Sequence, residues 1–381
     1  MSRLFESTEI NGLKLGNRFV RSATWEGMAT PEGACTPALL DLMSGLAKGG
    51  VGLIITSHAY VRREGQAGSR QLGIYEDTLM EGFRNMTKAV HDLGGRIVVQ
   101  IAHAGLFANS ALSNRIPLAP SQLGHLSDHP HREMTVEEIQ KTAASFGRAA
   151  YRARESGFDG VQIHAAHGYL LSQFLSPAFN KREDEYGGPL KNRARALLDV
   201  LRCLRAEVGN DFPVFIKMNS EDFVDGGLSL EDSVKAGSML EEEGIDAIEL
   251  SGGTPFSGKL GSIRKGIKTE KDEAYFKDAA KAFKSALTIP LMLVGGIRNF
   301  QLAERLLETK TADYISMSRP FIREPALVKR WASGDLRPAT CLSDNLCFKP
   351  ATTGEGIYCV VEKKQQDSVI PTSQGCRPWN R

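Results

Sequence analysis

The sequence predicts an α/β protein: a closed parallel (β/α)8 barrel with a C-terminal, cysteine-containing extension. Three observations predict it. Eight short apolar runs rich in β-branched residues recur along the 381 residues. Stretches with helical spacing separate them. Most of the runs lack the alternation of a half-exposed strand, as expected where both faces of a strand are buried. Strands alternating with helices indicate βαβ units, and eight such units point to a closed barrel rather than an open sheet. The length suffices, since such barrels need roughly 250 residues.

The expected strands lie at 19–23, 51–56, 96–101, 157–163, 213–218, 247–250, 290–294 and 314–317. Helical spacing marks 78–93, 135–156, 190–208, 230–243, 272–286, 300–308 and 324–332. Ser229-Leu-Glu-Asp232 has the spacing of a capping box. The connection 105–134 is rich in Ser, Pro, His and Asn, and a loop of that length is usually a lid or insertion. Beyond residue 336 the chain turns to Cys, Gly, Pro and polar residues without helical period. The expected division is therefore a barrel over 1–336 and an extension over 337–381.

Composition excludes several classes. Hydrophobic residues make up 41% and charged residues 24%, as in ordinary globular proteins. A formal charge of +2 gives no electrostatic reason to bind nucleic acid or a membrane surface. No apolar run approaches the roughly 20 residues of a transmembrane helix, and the first residues lack the apolar centre of a secretory signal. A cytoplasmic protein acting on a small molecule is expected, and a homo-oligomer is compatible with this composition. The six cysteines form no disulfide scaffold; Cys35 and Cys203 read as inert.

Chemistry concentrates after the fourth expected strand, in His164-Ala-Ala-His167-Gly-Tyr169. Three side chains able to hold or move protons stand within six positions at a strand's C-terminal end, the active end of such barrels. Two histidines three apart could bind a metal, but no acidic residue stands nearby before 183–185, so no metal is expected there. His125, His129 and His131 lie in a polar stretch without ligand spacing and read as a solvated loop. Gly295 and Gly296 follow the seventh strand, and Ser318 and Arg319 the eighth. Those two loops commonly form the phosphate site of a barrel. Lys217 ends the fifth strand, where it could also form a Schiff base with a carbonyl substrate. That is the rival reading, a lysine-dependent lyase or aldolase; a flavin electron-transfer subunit is a third.

The run HAAHGYLLSQFLSP, the spaced Asn180 and Arg182, DEYGG and Asn192-Arg193 together resemble the old yellow enzyme family of FMN-dependent oxidoreductases. The resemblance extends from Asn17-Arg18 to about Cys359. It is greatest to the bacterial branch with two histidines, similar to the FMN domain of 2,4-dienoyl-CoA reductase; the classical fungal branch has His then Asn.

The resemblance implies FMN, with NADH or NADPH as reductant, and hydride transfer to an activated C=C bond of an α,β-unsaturated carbonyl compound. His164 and His167 would hold the carbonyl oxygen as it gains charge. Tyr169 would protonate the neighbouring carbon. The backbone of Ser22, Ala23 and Thr24 would lie against the flavin, with Trp25 where relatives carry Thr or Cys. Gln100 would bond the pyrimidine ring, and Lys217 would stand by its N1 edge. His58 occupies a position used through its backbone. The phosphate would rest on Gly295, Gly296, Ser318 and Arg319. Relatives that fuse a dinucleotide domain run much longer, so this chain is expected to lack one. Four tail cysteines hold an iron–sulfur cluster in some relatives. Here Cys341, Cys347 and Cys359 match while Asp344 stands at the second position, so a zinc site or a vestigial motif is expected instead.

Overall fold

The structure is a computed structural model that describes residues 2–124 and 130–369. Eight parallel strands close a barrel in sequence order. They are β1 (Phe19–Arg21), β2 (Leu53–Tyr60), β3 (Ile97–Ala102), β4 (Val161–Ala165), β5 (Val214–Asn219), β6 (Ala247–Ser251), β7 (Leu291–Leu293) and β8 (Tyr314–Met317). Each expected run overlaps one of them, though β2 continues to Tyr60 and β4 starts only at Val161. Nearly every strand residue is buried, because helices cover the outside and side chains fill the inside. Burial on both faces is what removed the alternation from the sequence.

The helices present one apolar face to the barrel. In Val136–Glu155, Ile139, Ala143, Phe146, Ala150 and Ala153 are buried at spacings of three and four. A full capping box starts this helix, with Thr135 and Glu138 satisfying each other's backbone N–H groups. At Ser229 only half of the expected box forms. Ser229 accepts from the Asp232 N–H, but the Asp232 carboxylate turns away to pair with Arg193 at 2.7 Å. The region 190–208 is two helices, Leu190–Arg193 and Arg195–Val208, meeting at Ala194.

A short antiparallel hairpin, Thr8–Ile10 with Leu13–Leu15, was not anticipated. Its Ile10, Leu13 and Leu15 cluster with Val20, Leu53, Ile55, Val98, Phe215, Ala247, Met292 and Tyr314. They fill the N-terminal end of the barrel interior, and the Thr8 hydroxyl meets the Tyr314 hydroxyl at 3.0 Å. Three-residue strands are too short to show a period.

Two expectations are corrected. The tail does contain helices, Phe348–Thr352 and Val360–Val369. The first is one turn, defined by packing: Cys347, Ala351 and Ile357 bury against Trp25, Met28, Leu42 and Ile322. His131 is not a solvated loop residue, for it is buried and accepts from the Leu123 N–H at 2.8 Å. His125 and His129 lie outside the described residues, as does Cys376. No helix among the described residues is long and apolar enough to cross a membrane.

Candidate active site

A cavity of about 650 Å³ opens at the C-terminal ends of the strands. That volume is typical of a cofactor or ligand site. Of the residues expected there, Ser22, Ala23, Thr24, His58, Gln100, His164, His167, Tyr169, Lys217, Gly296, Ser318 and Arg319 line it. Gly295 stands one residue behind the wall, with φ 139°, while Gly296 faces it with φ 73°. A Cβ on Gly296 would come within 3.0 Å of the Tyr275 ring, so the loop needs glycine there.

His164 projects inward from β4. The chain then turns sharply, with His167 at φ 60° and Gly168 at φ 78°. A left-handed histidine is uncommon. It is tied down at the backbone, where the His167 N–H donates to Asn219 Oδ1 at 3.0 Å. The turn brings the three side chains together: the ring centre of His164 lies 5.2 Å from that of His167 and 4.8 Å from that of Tyr169. His167 Nε2 meets Ser251 Oγ at 2.7 Å, leaving Nδ1 for another partner. His164 Nδ1 is buried with no partner.

Burial holds both imidazoles well below their usual range, with His167, His58 and Lys217 adding to the drop at His164, and Lys217 and His58 at His167. They are therefore neutral at pH 7, and each offers one N–H. Burial also raises Tyr169, so its hydroxyl stays protonated and can act as an acid. His58 Nε2 lies 3.2 Å from the Tyr169 hydroxyl. Burial, then the Lys217 charge, lowers His58 to about 4. The sequence reading used His58 through its backbone alone; the structure adds its ring to the proton-bearing group.

Beneath this group a polar chain crosses the barrel. Gln100 Nε2 donates to Gln162 Oε1 at 2.7 Å, and Gln162 Nε2 donates to Glu249 Oε2 at 2.9 Å. Glu249 pairs with Lys217 Nζ at 3.3 Å, and Lys217 donates onward to Ser22 Oγ at 2.7 Å. Gln162, Glu249 and Ser251 were missed. The available signal was polarity inside the fully buried runs VQIHA and AIELS, where an unpaired charge is costly.

At the other end, Arg319 is buried and donates to the Arg264 carbonyl at 2.9 Å and to Asn345 Oδ1 at 2.6 Å. Ser318 Oγ meets Thr24 Oγ1 at 2.7 Å. Arg298, also missed, lines the same region and anchors the tail through the Cys341 carbonyl at 2.7 Å.

These residues fit FMN. Trp25 Nε1, His164 Nδ1, Arg298 Nε and Ser316 Oγ are buried without hydrogen-bond partners, although Arg298 Nε lies 3.9 Å from the Glu273 carboxylate, and all four residues line the cavity. Arg298 and Arg319 supply charge for a phosphate at one end; Gln100 and Lys217 supply donors for a polar ring edge at the other.

The tail cysteines do not converge as the zinc expectation requires. Cys341, Cys347 and Cys359 border a small separate cavity with Asp344 and Arg323. Among the described residues, however, no group of three or more His, Cys, Asp or Glu is arranged to hold a metal ion. Asp344 instead accepts from the Leu346 N–H at 3.1 Å. Burial raises the thiols of Cys341 and Cys347, the latter to about 11.

Comparison with known proteins agrees with this geometry. The NADH:flavin oxidoreductase / NADH oxidase family matches over residues 3–336. An NADH oxidase of Thermoanaerobacter brockii is 33% identical over 355 residues, covering 90% of this chain and 53% of the relative. The chain thus spans about half the length of that protein. An NADPH dehydrogenase of Listeria monocytogenes is 33% identical over 332 residues, 86% of this chain and 94% of the relative. The old yellow enzyme homologue of Zymomonas mobilis superposes with a TM-score of 0.75 at 28% identity, over 92% of this chain and 98% of the other. A matched sequence, a shared barrel and a cavity suited to FMN converge: the chain belongs to the NADH:flavin oxidoreductase / NADH oxidase family, whose enzymes use FMN with NAD(P)H as reductant.

Proposed function

We propose that the protein is an ene-reductase of the two-histidine branch, similar to the FMN domain of 2,4-dienoyl-CoA reductase. It would reduce the activated C=C bond of an α,β-unsaturated carbonyl compound in the cytoplasm, at the expense of NADH or NADPH. The observation that carries the reading is the unpartnered, buried His164 Nδ1 beside a protonated Tyr169 on the cavity wall.

FMN, when bound, supplies the hydride chemistry linking reductant and alkene. His164 and His167, neutral and each with one N–H available, bind the carbonyl oxygen and stabilise the charge it gains. Tyr169 delivers a proton from Oη to the neighbouring carbon. Ser22, Ala23, Thr24, His58, Gln100, His164 and Lys217 hold the flavin ring, and Gly295, Gly296, Ser318 and Arg319 its phosphate. The barrel over 1–336 carries all these residues, and the extension over 337–381 borders the cavity through Ser343 and Phe348. Five described cysteines are free, which suits a reducing compartment.

The Schiff-base alternative is weakened by the contacts of Lys217. Its Nζ is already held by Glu249 and Ser22 rather than left free to attack a carbonyl.

The test is anaerobic. NADPH or NADH bleaches the yellow holoprotein, and 2-cyclohexen-1-one then restores the colour and yields the saturated ketone. Bleached protein that is inert to enones yet reoxidised by oxygen would refute the reading.

A further inference from the structure

Glu249 has no role in the chemistry above, yet it is the most conspicuous polar residue under the cavity. It is fully buried on β6, directly opposite Lys217 on β5 in the sheet register. One carboxylate oxygen, Oε2, serves both Lys217 and Gln162. The other, Oε1, has no partner. Glu249 does not reach the cavity; Lys217, Ser22 and Gln100 stand between. A carboxylate left half-satisfied in a barrel core is expensive unless it does something for its neighbours.

We infer that Glu249 is the buried counter-ion of Lys217, a positioning residue that aims its ammonium at the cavity and, by offsetting its charge, keeps the midpoint potential of bound FMN low. Reduction adds negative charge to a flavin at neutral pH. A cation on the cavity wall therefore binds the reduced form better, and a carboxylate just behind that cation opposes this preference. In an interior of low polarity neither effect is strongly screened. The pair lets the protein fix an ammonium against the flavin without making the flavin too weak a reductant for an alkene. Gln162 ties the same carboxylate to Gln100, so three cavity-wall groups take their positions from Glu249: Lys217, Gln100 through Gln162, and Ser22 through Lys217.

The inference rests on FMN occupying this cavity, and that premise is checked first: wild-type protein that holds no flavin refutes the premise, independently of Glu249. The test is the midpoint potential of the holoprotein by dye equilibration, with oxidised-FMN affinity measured by titrating apoprotein. Glu249→Gln removes the charge and keeps the shape. It should favour the reduced flavin over the oxidised at least tenfold, which for a two-electron couple is a rise of about 30 mV. An unchanged or lower potential overturns the inference; a lower one is what simple misplacement of Lys217 would give. Because Glu249→Gln leaves Lys217 unpaired and could fail to fold, a second pair decides that case. Lys217→Met should lower the potential, and Lys217→Met with Glu249→Gln should bring it back toward wild type. If the double variant stays at the Lys217→Met potential, Glu249 exerts no charge effect and the proposal fails.

Discussion

Replacing Tyr169 by Phe tests the division of labour around the cavity. The substitution keeps the ring, which packs edge-on against His164 and His58 with centres 4.8 and 5.4 Å away. It removes the hydroxyl that proton donation needs and frees His58 Nε2. A lost hydrogen bond of this kind costs about 1 kcal/mol, too little to unfold the barrel. A positioned general acid contributes roughly 10²- to 10⁴-fold. At 1.36 kcal/mol per decade, that is about 2.7–5.4 kcal/mol of barrier. The alkene half-reaction should slow by that factor. Bleaching by NADPH needs no proton from Tyr169 and should keep its rate. Stopped-flow absorbance resolves the two half-reactions separately. Equal slowing of both would refute the assignment and indicate a general disturbance of the cavity.

Two further predictions follow from individual residues. Arg319→Ala should raise the dissociation constant for FMN roughly 10- to 100-fold, the range for a charge-assisted hydrogen bond, as read by flavin retained after dialysis; full retention would remove Arg319 from the phosphate site. Stability should decline as pH falls from about 6.5 to about 4. Burial lowers His103 from 6.5 to about 4, with Glu64 partly opposing and Arg62 adding to the drop, so in that window the unfolded chain binds a proton that the folded one refuses. Above pH 6.5 its contribution is flat and fully present. The difference is about 3 kcal/mol. His103→Gln should lessen the loss of thermal stability between pH 4 and 6.5 without abolishing it, since His58, His164 and His167 are lowered in the same way; an unaltered pH profile would rule His103 out.

How much of this was legible in the sequence depended on length and on partners. The barrel strands were legible because continuous apolar runs such as LIIT and VVQIA have few other uses. The proton-bearing trio was legible because its members lie within six positions on one segment. Glu249 was not. Its meaning depends on Lys217, 32 positions earlier, and only the register of two strands brings them together. His58 and Tyr169 likewise meet across 111 positions. Asp232 had the right spacing for a cap, but Arg193 competes for its carboxylate. In the tail, the match of Cys341, Cys347 and Cys359 to the cluster-binding cysteines of some relatives suggested a metal site that the described residues do not assemble.

The hairpin at residues 8–15 reaches no catalytic group, yet it decides the medium in which they work. Ile10, Leu13 and Leu15 stopper the end of the barrel away from the cavity. Solvent can therefore approach the Lys217–Glu249 pair from the cavity side only, the side that FMN would cover in the proposed function. A cylinder open at both ends would let water thread to the pair from below and dilute its field. With the stopper in place, the insulation of the charges is set by residues that come first in the chain and stand farthest from the chemistry.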